Sequence, residues 1–188
     1  MTVFCGSSTG DLPLFVDAAE TFALALARRG LGLVYGGGHI GLMGVAADAA
    51  LAAGAEVWGV IPRAFAAKEL AHEGLTHLEL VDTMHARKAR MAALAGAFVA
   101  LPGGIGTLEE LVEVYTWAQI GIHDRPIGVL DVGDYWDPLF AFLDRAVAHG
   151  FVRPAVRSLL VRAADPEALL DALEAAPRGT ISGRWPAL

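Results

Sequence analysis

The 188-residue sequence is poor in several features that would assign it quickly to a class. It has one cysteine, Cys5, so no internal disulfide forms and a reducing compartment suits it. That thiol sits in an apolar run and is expected to be a buried structural group. Only two lysines are present, Lys68 and Lys88, and the other basic residues are arginines. Basic residues are outnumbered overall: the formal net charge is −7, which argues against the basic footprint of a general nucleic-acid binder. Long apolar runs are missing too, although 55% of residues are hydrophobic and the mean hydropathy is +0.49. The longest apolar stretch, Ala92–Leu108, lacks charge but is broken by Gly96 and Pro102-Gly103-Gly104, so no membrane association is expected. The first residues carry no basic segment followed by an apolar one, so no signal peptide is expected and the cytoplasm is the expected location. The histidines fall at no metal-ligand spacing, and no Gly-x-Ser-x-Gly turn occurs. Neither a metal nor covalent serine chemistry is expected.

Short apolar runs alternate with longer segments of helical period, the pattern of an α/β fold. Strands are expected near Thr2–Cys5, Leu31–Tyr35, Glu56–Ile61, His77–Val81, Ala97–Leu101 and Pro126–Leu130, with a short last one near Ser158–Arg162. Helices are expected over Leu12–Arg29, Gly41–Ala53, Thr83–Ala95, Thr107–Gly121, Asp137–His149 and Pro166–Ala175. This order predicts one domain over residues 1–176, a doubly wound, Rossmann-like parallel sheet with helices on both faces, followed by an irregular tail over 177–188. The apolar content leaves surface for a partner copy.

Three predicted strands end in small residues: Cys5 runs into Gly6-Ser7-Ser8, Tyr35 into Gly36-Gly37-Gly38, and Leu101 into Pro102-Gly103-Gly104-Ile105-Gly106-Thr107. Ligands of doubly wound sheets bind beyond the carboxyl ends of strands, so three such turns point to a shared crevice. Gly36-Gly37-Gly38-His39-Ile40-Gly41 also has the Gly-x-Gly-x-x-Gly spacing of a dinucleotide site. That fingerprint needs an acidic residue at the end of the next strand, whereas Glu56 falls at its start.

The turn before the fifth helix carries more information. Glycines there leave the first helical N–H groups unobstructed, and the helix dipole adds positive potential, which together make a phosphate cradle. Thr107-Leu108-Glu109-Glu110 is equally a capping box, in which Glu110 would bond back to the Thr107 N–H. Helical periodicity gathers Leu108, Leu111, Val112, Tyr115 and Ile122 on one face, expected to lie on the sheet. The other face, with Thr107, Glu110, Val114 and Trp117, is too apolar for solvent, which puts Glu110 in a crevice or a subunit interface. One helix earlier, Arg87 falls on the stripe of Met84, Met91 and Leu94, where an arginine is costly unless it meets an anion. Arg90 falls off that stripe and reads as a surface charge.

Taken together, Val3-Phe4-Cys5-Gly6-Ser7-Ser8, Gly36–Gly44, Met84–Lys88, Pro102–Glu110 (PGGIGTLEE) and Thr116-Trp117-Ala118-Gln119 resemble the Lonely Guy (LOG) family of cytokinin-activating phosphoribohydrolases. The resemblance runs from about Val3 to Val152. It implies a hydrolase that cleaves the N-glycosidic bond of N6-modified adenosine 5′-monophosphate or AMP, giving free base and ribose 5-phosphate without a cofactor. It implies Arg87 and Glu110 as the catalytic pair. Substrate contacts would come from Glu69, Arg87, Lys88, Gly103, Gly104, Ile105, Gly106, Thr107, Glu110 and Thr116. A homodimer with sites at the subunit interface is also implied. Ala86 departs from the glutamate usual in the family's MHERK segment, and residues 64–75 match loosely. Proteins of this family have often been labelled lysine decarboxylases, but such chemistry usually needs a Schiff-base lysine on pyridoxal phosphate, for which only Lys68 and Lys88 are available. Two other classes stay open: a nucleotide-binding module without turnover, and an NAD-dependent oxidoreductase.

Overall fold

The computed structural model describes residues 1–66 and 71–176. Its strands are β1 (Thr2–Phe4), β2 (Leu33–Tyr35), β3 (Val57–Pro62), β4 (His77–Val81), β5 (Phe98–Ala100), β6 (Ile127–Leu130) and β7 (Leu160–Ala163). They form one parallel sheet in the order β4-β3-β2-β1-β5-β6-β7. The chain therefore builds outward from β1 to β4, then crosses back to lay β5 on the other side of β1. That reversal opens a crevice above the carboxyl ends of β1 and β5, where the backbones diverge.

The helices are α1 (Pro13–Arg28), α2 (Gly41–Ala52), the single turn α3 (Arg63–Phe65), α4 (Met84–Leu94), α5 (Ile105–Gln119), α6 (Asp137–Ala148), the short α7 (Pro154–Arg157) and α8 (Pro166–Ala175). Strand side chains alternate between two buried layers, as the period of two requires when both sheet faces are covered. Val3, Leu33, Tyr35, Val99 and Leu101 pack beneath α1, α2 and α8. Phe4, Val34, Phe98, Ala100 and Val129 pack beneath α4, α5 and α6. Small residues let α1 and α2 approach closely: Ala19, Ala47 and Ala50 are inaccessible, with Phe22 wedged among them.

All seven expected strands and six expected helices form, most of them with trimmed ends. Where the structure differs, the reasons are local. The turn α7 pushes the last strand two residues on, from Ser158 to Leu160, because the Ser158 N–H bonds to the Pro154 carbonyl. α5 starts at Ile105 with Gly104 as its cap, two residues ahead of the expected Thr107, so the capping box does not form. Its buried face is also rotated from the expected one. Thr107, Glu110, Leu111, Val114, Tyr115 and Ala118 lie inward, while Val112 and Ile122 are 43% and 63% exposed. A helix apolar on both sides leaves the choice of face to tertiary packing, and Ile122 lies beyond the helix end at Gln119. The expected irregular tail over 177–188 lies outside the described residues.

Replacing Phe22, which is 1% exposed, with Ala is expected to lower unfolding free energy by about 3–5 kcal/mol in urea titrations. The same change at Phe142, 65% exposed on α6, should stay within about 0.5 kcal/mol.

Candidate active site

A cavity of about 440 Å³ lies above the carboxyl ends of β1, β2 and β3. Cys5 and Ser7 line its floor, Met84 and Arg87 of α4 one wall, and the first turns of α5 the other. Two of the three glycine turns therefore line it directly, through Gly36, Gly38, Gly104 and Gly106, and the third contributes Ser7.

Arg87 and Glu110 meet at the cavity wall. Arg87 Nη1 donates to Glu110 Oε1 at 2.7 Å, and Arg87 Nε donates to the Val60 carbonyl of β3 at 3.1 Å. Their side chains are only 13% and 10% exposed, so each charge is the other's main compensation. The anion that Arg87 needs on its apolar stripe is thus Glu110. Burial pushes the Glu110 carboxyl above its ordinary value of 4.5, and Arg87 pulls against that rise. The guanidinium also explains Gly36, since a Cβ there would lie 1.9 Å from Arg87 Nη2. Beneath the pair, burial and the Glu110 charge push the Cys5 thiol up to about 12, leaving it neutral and inert as a nucleophile.

The start of α5 forms the adjoining wall. The Leu108 N–H bonds to the Gly104 carbonyl at 3.0 Å, so the N–H groups of Ile105, Gly106 and Thr107 precede the first intrahelical bond. With the dipole behind them, they make an anion-binding end. Gly103 allows the turn to close: a Cβ there would lie 2.2 Å from Thr107 Oγ1 and 2.8 Å from the Gly6 nitrogen. The Gly6 N–H donates to the Pro102 carbonyl at 3.1 Å, tying the β1 and β5 turns together.

Of the residues expected at the site, Arg87, Gly104, Ile105, Gly106, Thr107 and Glu110 line the cavity. Gly103 lies just behind, lining a neighbouring recess of about 260 Å³. Lys88 does not reach the cavity. Its ammonium, on the next position of α4, turns to α5 and pairs with Glu109 at 2.5 Å and Glu113 at 2.9 Å. Thr116 is also apart, nine residues or roughly 14 Å along α5 from Thr107, with its exposed hydroxyl donating to the Val112 carbonyl. Glu69 and Lys68 lie outside the described residues. Arg90 has a definite partner, a two-pronged contact with Glu79 at 2.6 and 2.7 Å. Met43, Ile61 and Phe65, which sequence reasoning missed, form an apolar flank of the cavity. Ile61 lies next to the last residue of β3 and Met43 follows the second glycine turn, so strand order could have placed both there. The dinucleotide fingerprint is absent: Glu56 precedes β3 at the end of the sheet away from the cavity and bonds His77.

A family model described as possible lysine decarboxylase matches residues 43–173. A probable cytokinin riboside 5′-monophosphate phosphoribohydrolase of rice, LOGL2, is 48% identical over 172 residues, covering 92% of this chain and 70% of that protein. The cytokinin riboside 5′-monophosphate phosphoribohydrolase LOG5 of Arabidopsis thaliana is 49% identical over 173 residues, covering 92% and 76%. The chain belongs to the LOG family. Its fold is shared more widely. The molybdenum cofactor binding protein of Rippkaea orientalis superposes with a TM-score of 0.70 at 18% identity, over 92% of this chain and 94% of that one. The molybdenum cofactor carrier protein of Chlamydomonas reinhardtii gives 0.69 at 20%, with the same coverage. In this LOG-family chain Lys88, the one lysine among the described residues, is committed to two carboxylates rather than to the cavity, so it is not placed as the Schiff-base lysine a decarboxylase would need.

Gly36→Ala is expected to force Arg87 away from Glu110 while the chain stays folded. Losing that cation should raise the Glu110 pKa further, measurable by carboxyl-carbon NMR titration; an unchanged titration would contradict the close approach.

Proposed function

We propose that the chain hydrolyses the N-glycosidic bond of an N6-modified adenosine 5′-monophosphate, or AMP, to free base and ribose 5-phosphate. The observation that carries this reading is the placement of the Arg87–Glu110 pair beside the anion-binding end of α5 in one cavity. Thr107 and Glu110 are separated by roughly 5 Å along the helix axis, comparable to the span from a 5′-phosphate to C1′ of the ribose. The names of the relatives, at nearly half identity, support the same chemistry.

In this reading the N–H groups of Ile105, Gly106 and Thr107 hold the phosphate, and binding energy there serves the bond change at C1′. The C1′–N9 bond breaks with its electron pair leaving on the base, and positive charge develops on the sugar. The ionised Glu110 carboxylate stabilises that charge and accepts a proton from the water that attacks C1′. Arg87 keeps Glu110 ionised and aimed. The base takes up a proton from solvent as it leaves, Glu110 returns the water's proton to solvent, and the apolar side chains Met43, Ile61, Phe65 and Met84 offer the base a flank. Large apolar side chains are left exposed at the cavity, Met84 and Ile105, and farther along α5, Val112 and Ile120; in this reading they meet a second copy, which makes a homodimer with sites at its interface part of the same proposal. No helix among the described residues is long and apolar enough to cross a membrane, and action in the cytoplasm belongs to this proposal as well.

Base release from AMP and from isopentenyladenosine monophosphate, followed by chromatography, is expected for the wild type and should fall by roughly two or more orders of magnitude in Glu110→Ala and Arg87→Ala. AMP bound by the wild type without release would instead mean a binding module.

The pH dependence tests Glu110 separately. Its active form is the carboxylate and its pKa is raised, so kcat/KM should climb with pH along a limb centred above 4.5. A limb centred at or below 4.5 would remove Glu110 from this role.

A further inference from the structure

We propose that Tyr135 is a positioning residue for the phosphate cradle: its hydroxyl holds the Gly103–Gly104 peptide so that the Gly104 N–H joins those at the start of α5. This role rests on the cradle reading given above. Tyr135 OH donates to the Gly103 carbonyl at 2.6 Å, across 32 residues of sequence. No cis peptide occurs among the described residues, so the Gly104 N–H points opposite to that carbonyl across the peptide plane. Gly104 lines both the main cavity and the neighbouring recess, whereas Tyr135 lines the recess alone. The hydroxyl therefore grips the outer edge of this peptide and turns its N–H to the cavity side.

Burial does not compel this bond, because Tyr135 is exposed enough for water to satisfy its hydroxyl. The surrounding structure instead delivers the ring to that spot. Tyr135 follows a single 3-10 turn, Val132–Asp134, in which Gly133 and Asp134 have φ of 61° and 56°. Asp134 is the one non-glycine residue with positive φ among the described residues, a conformation that persists only where its neighbours enforce it. Asp131, at the end of β6, does so. Its Oδ1 accepts the Trp136 N–H at 2.8 Å, and its Oδ2 pairs with Arg162 of β7, which also pairs with Asp137. The Tyr135 ring then packs edge-on against Phe15 of α1, with centroids 5.4 Å apart. Two strands, a helix and a strained turn thus converge on one hydroxyl that touches the cradle's backbone. Asp131-Val132-Gly133-Asp134-Tyr135 carried no signal as a sequence, since none of these residues has a catalytic spacing.

Tyr135→Phe removes the hydroxyl and leaves the ring on Phe15. The test is calorimetric binding of AMP and of adenosine with Tyr135 present and with Tyr135→Phe, both in a Glu110→Gln background that stops turnover. AMP affinity is expected to fall roughly three- to tenfold, the scale of one hydrogen bond, with adenosine affinity and melting temperature unchanged. In kinetics Tyr135→Phe alone should lower kcat/KM for the monophosphate by a similar factor and leave that for adenosine unchanged. Equal weakening of both ligands would mean a general structural role, and no weakening of either would mean no role; each overturns the proposal while leaving the cradle intact. A protein with Tyr135 present that binds AMP no tighter than adenosine would overturn the cradle itself, and the role of Tyr135 with it.

Discussion

The contact between Arg87 and Glu110 is the buried charge pair that joins α4 to α5 on one face of the sheet. Each side chain is almost wholly withdrawn from water, and an ion pair of that kind seldom stabilises a fold more than apolar side chains of the same size would. Much else in the upper half of the molecule accommodates it. The β2 turn gives up a side chain at Gly36 so that the guanidinium fits, and β3 lends a backbone carbonyl at Val60 to fix its plane. α4 carries its cations near its amino end, against its own dipole. Local rules broken at one place, with the remainder of the chain obeying them, are the physical mark of a site shaped for chemistry.

The adjoining network keeps that pair in register. Lys88, one residue along α4, faces α5 and binds Glu109 and Glu113, which flank Glu110 in sequence. Consecutive cations on α4 thus meet three carboxylates on α5, and a slide of one helix past the other would break several contacts together. The β1 and β5 turns are locked by the bond from Gly6 to Pro102, so the anion-binding end of α5 is held from below as well. Strand order makes this possible. The reversal between β1 and β5 opens the crevice, and the glycines on its rim let three backbones come close enough to share it.

The sequence carried the alternation of strands and helices, the glycine turns at strand ends, and an arginine and a glutamate at positions that demanded partners. Each of these is a local signal: a period, a turn composition, a charge on an apolar stripe. Errors arose where two local readings competed. Thr107 had the chemistry of a helix cap, yet Gly104 caps the helix because the Pro102-Gly103 turn enters it earlier. α5 offered two apolar faces, and Val112 went outward where the period had placed it inward. Lys88 stands beside Arg87 in sequence but about 100° around the helix, enough to send its ammonium to different partners.

By itself, then, the sequence determined which residues form the sheet, where the chain must turn tightly, and which charged side chains needed compensation, because propensity, period and desolvation all act over a few residues. Tertiary structure alone decided which anion meets Arg87, which face of α5 is buried, and that a tyrosine 32 residues downstream reaches the Gly103 carbonyl. Those contacts join segments far apart in the chain, and their geometry is set by strand order and by how two helices pack on one sheet. No local pattern encodes either.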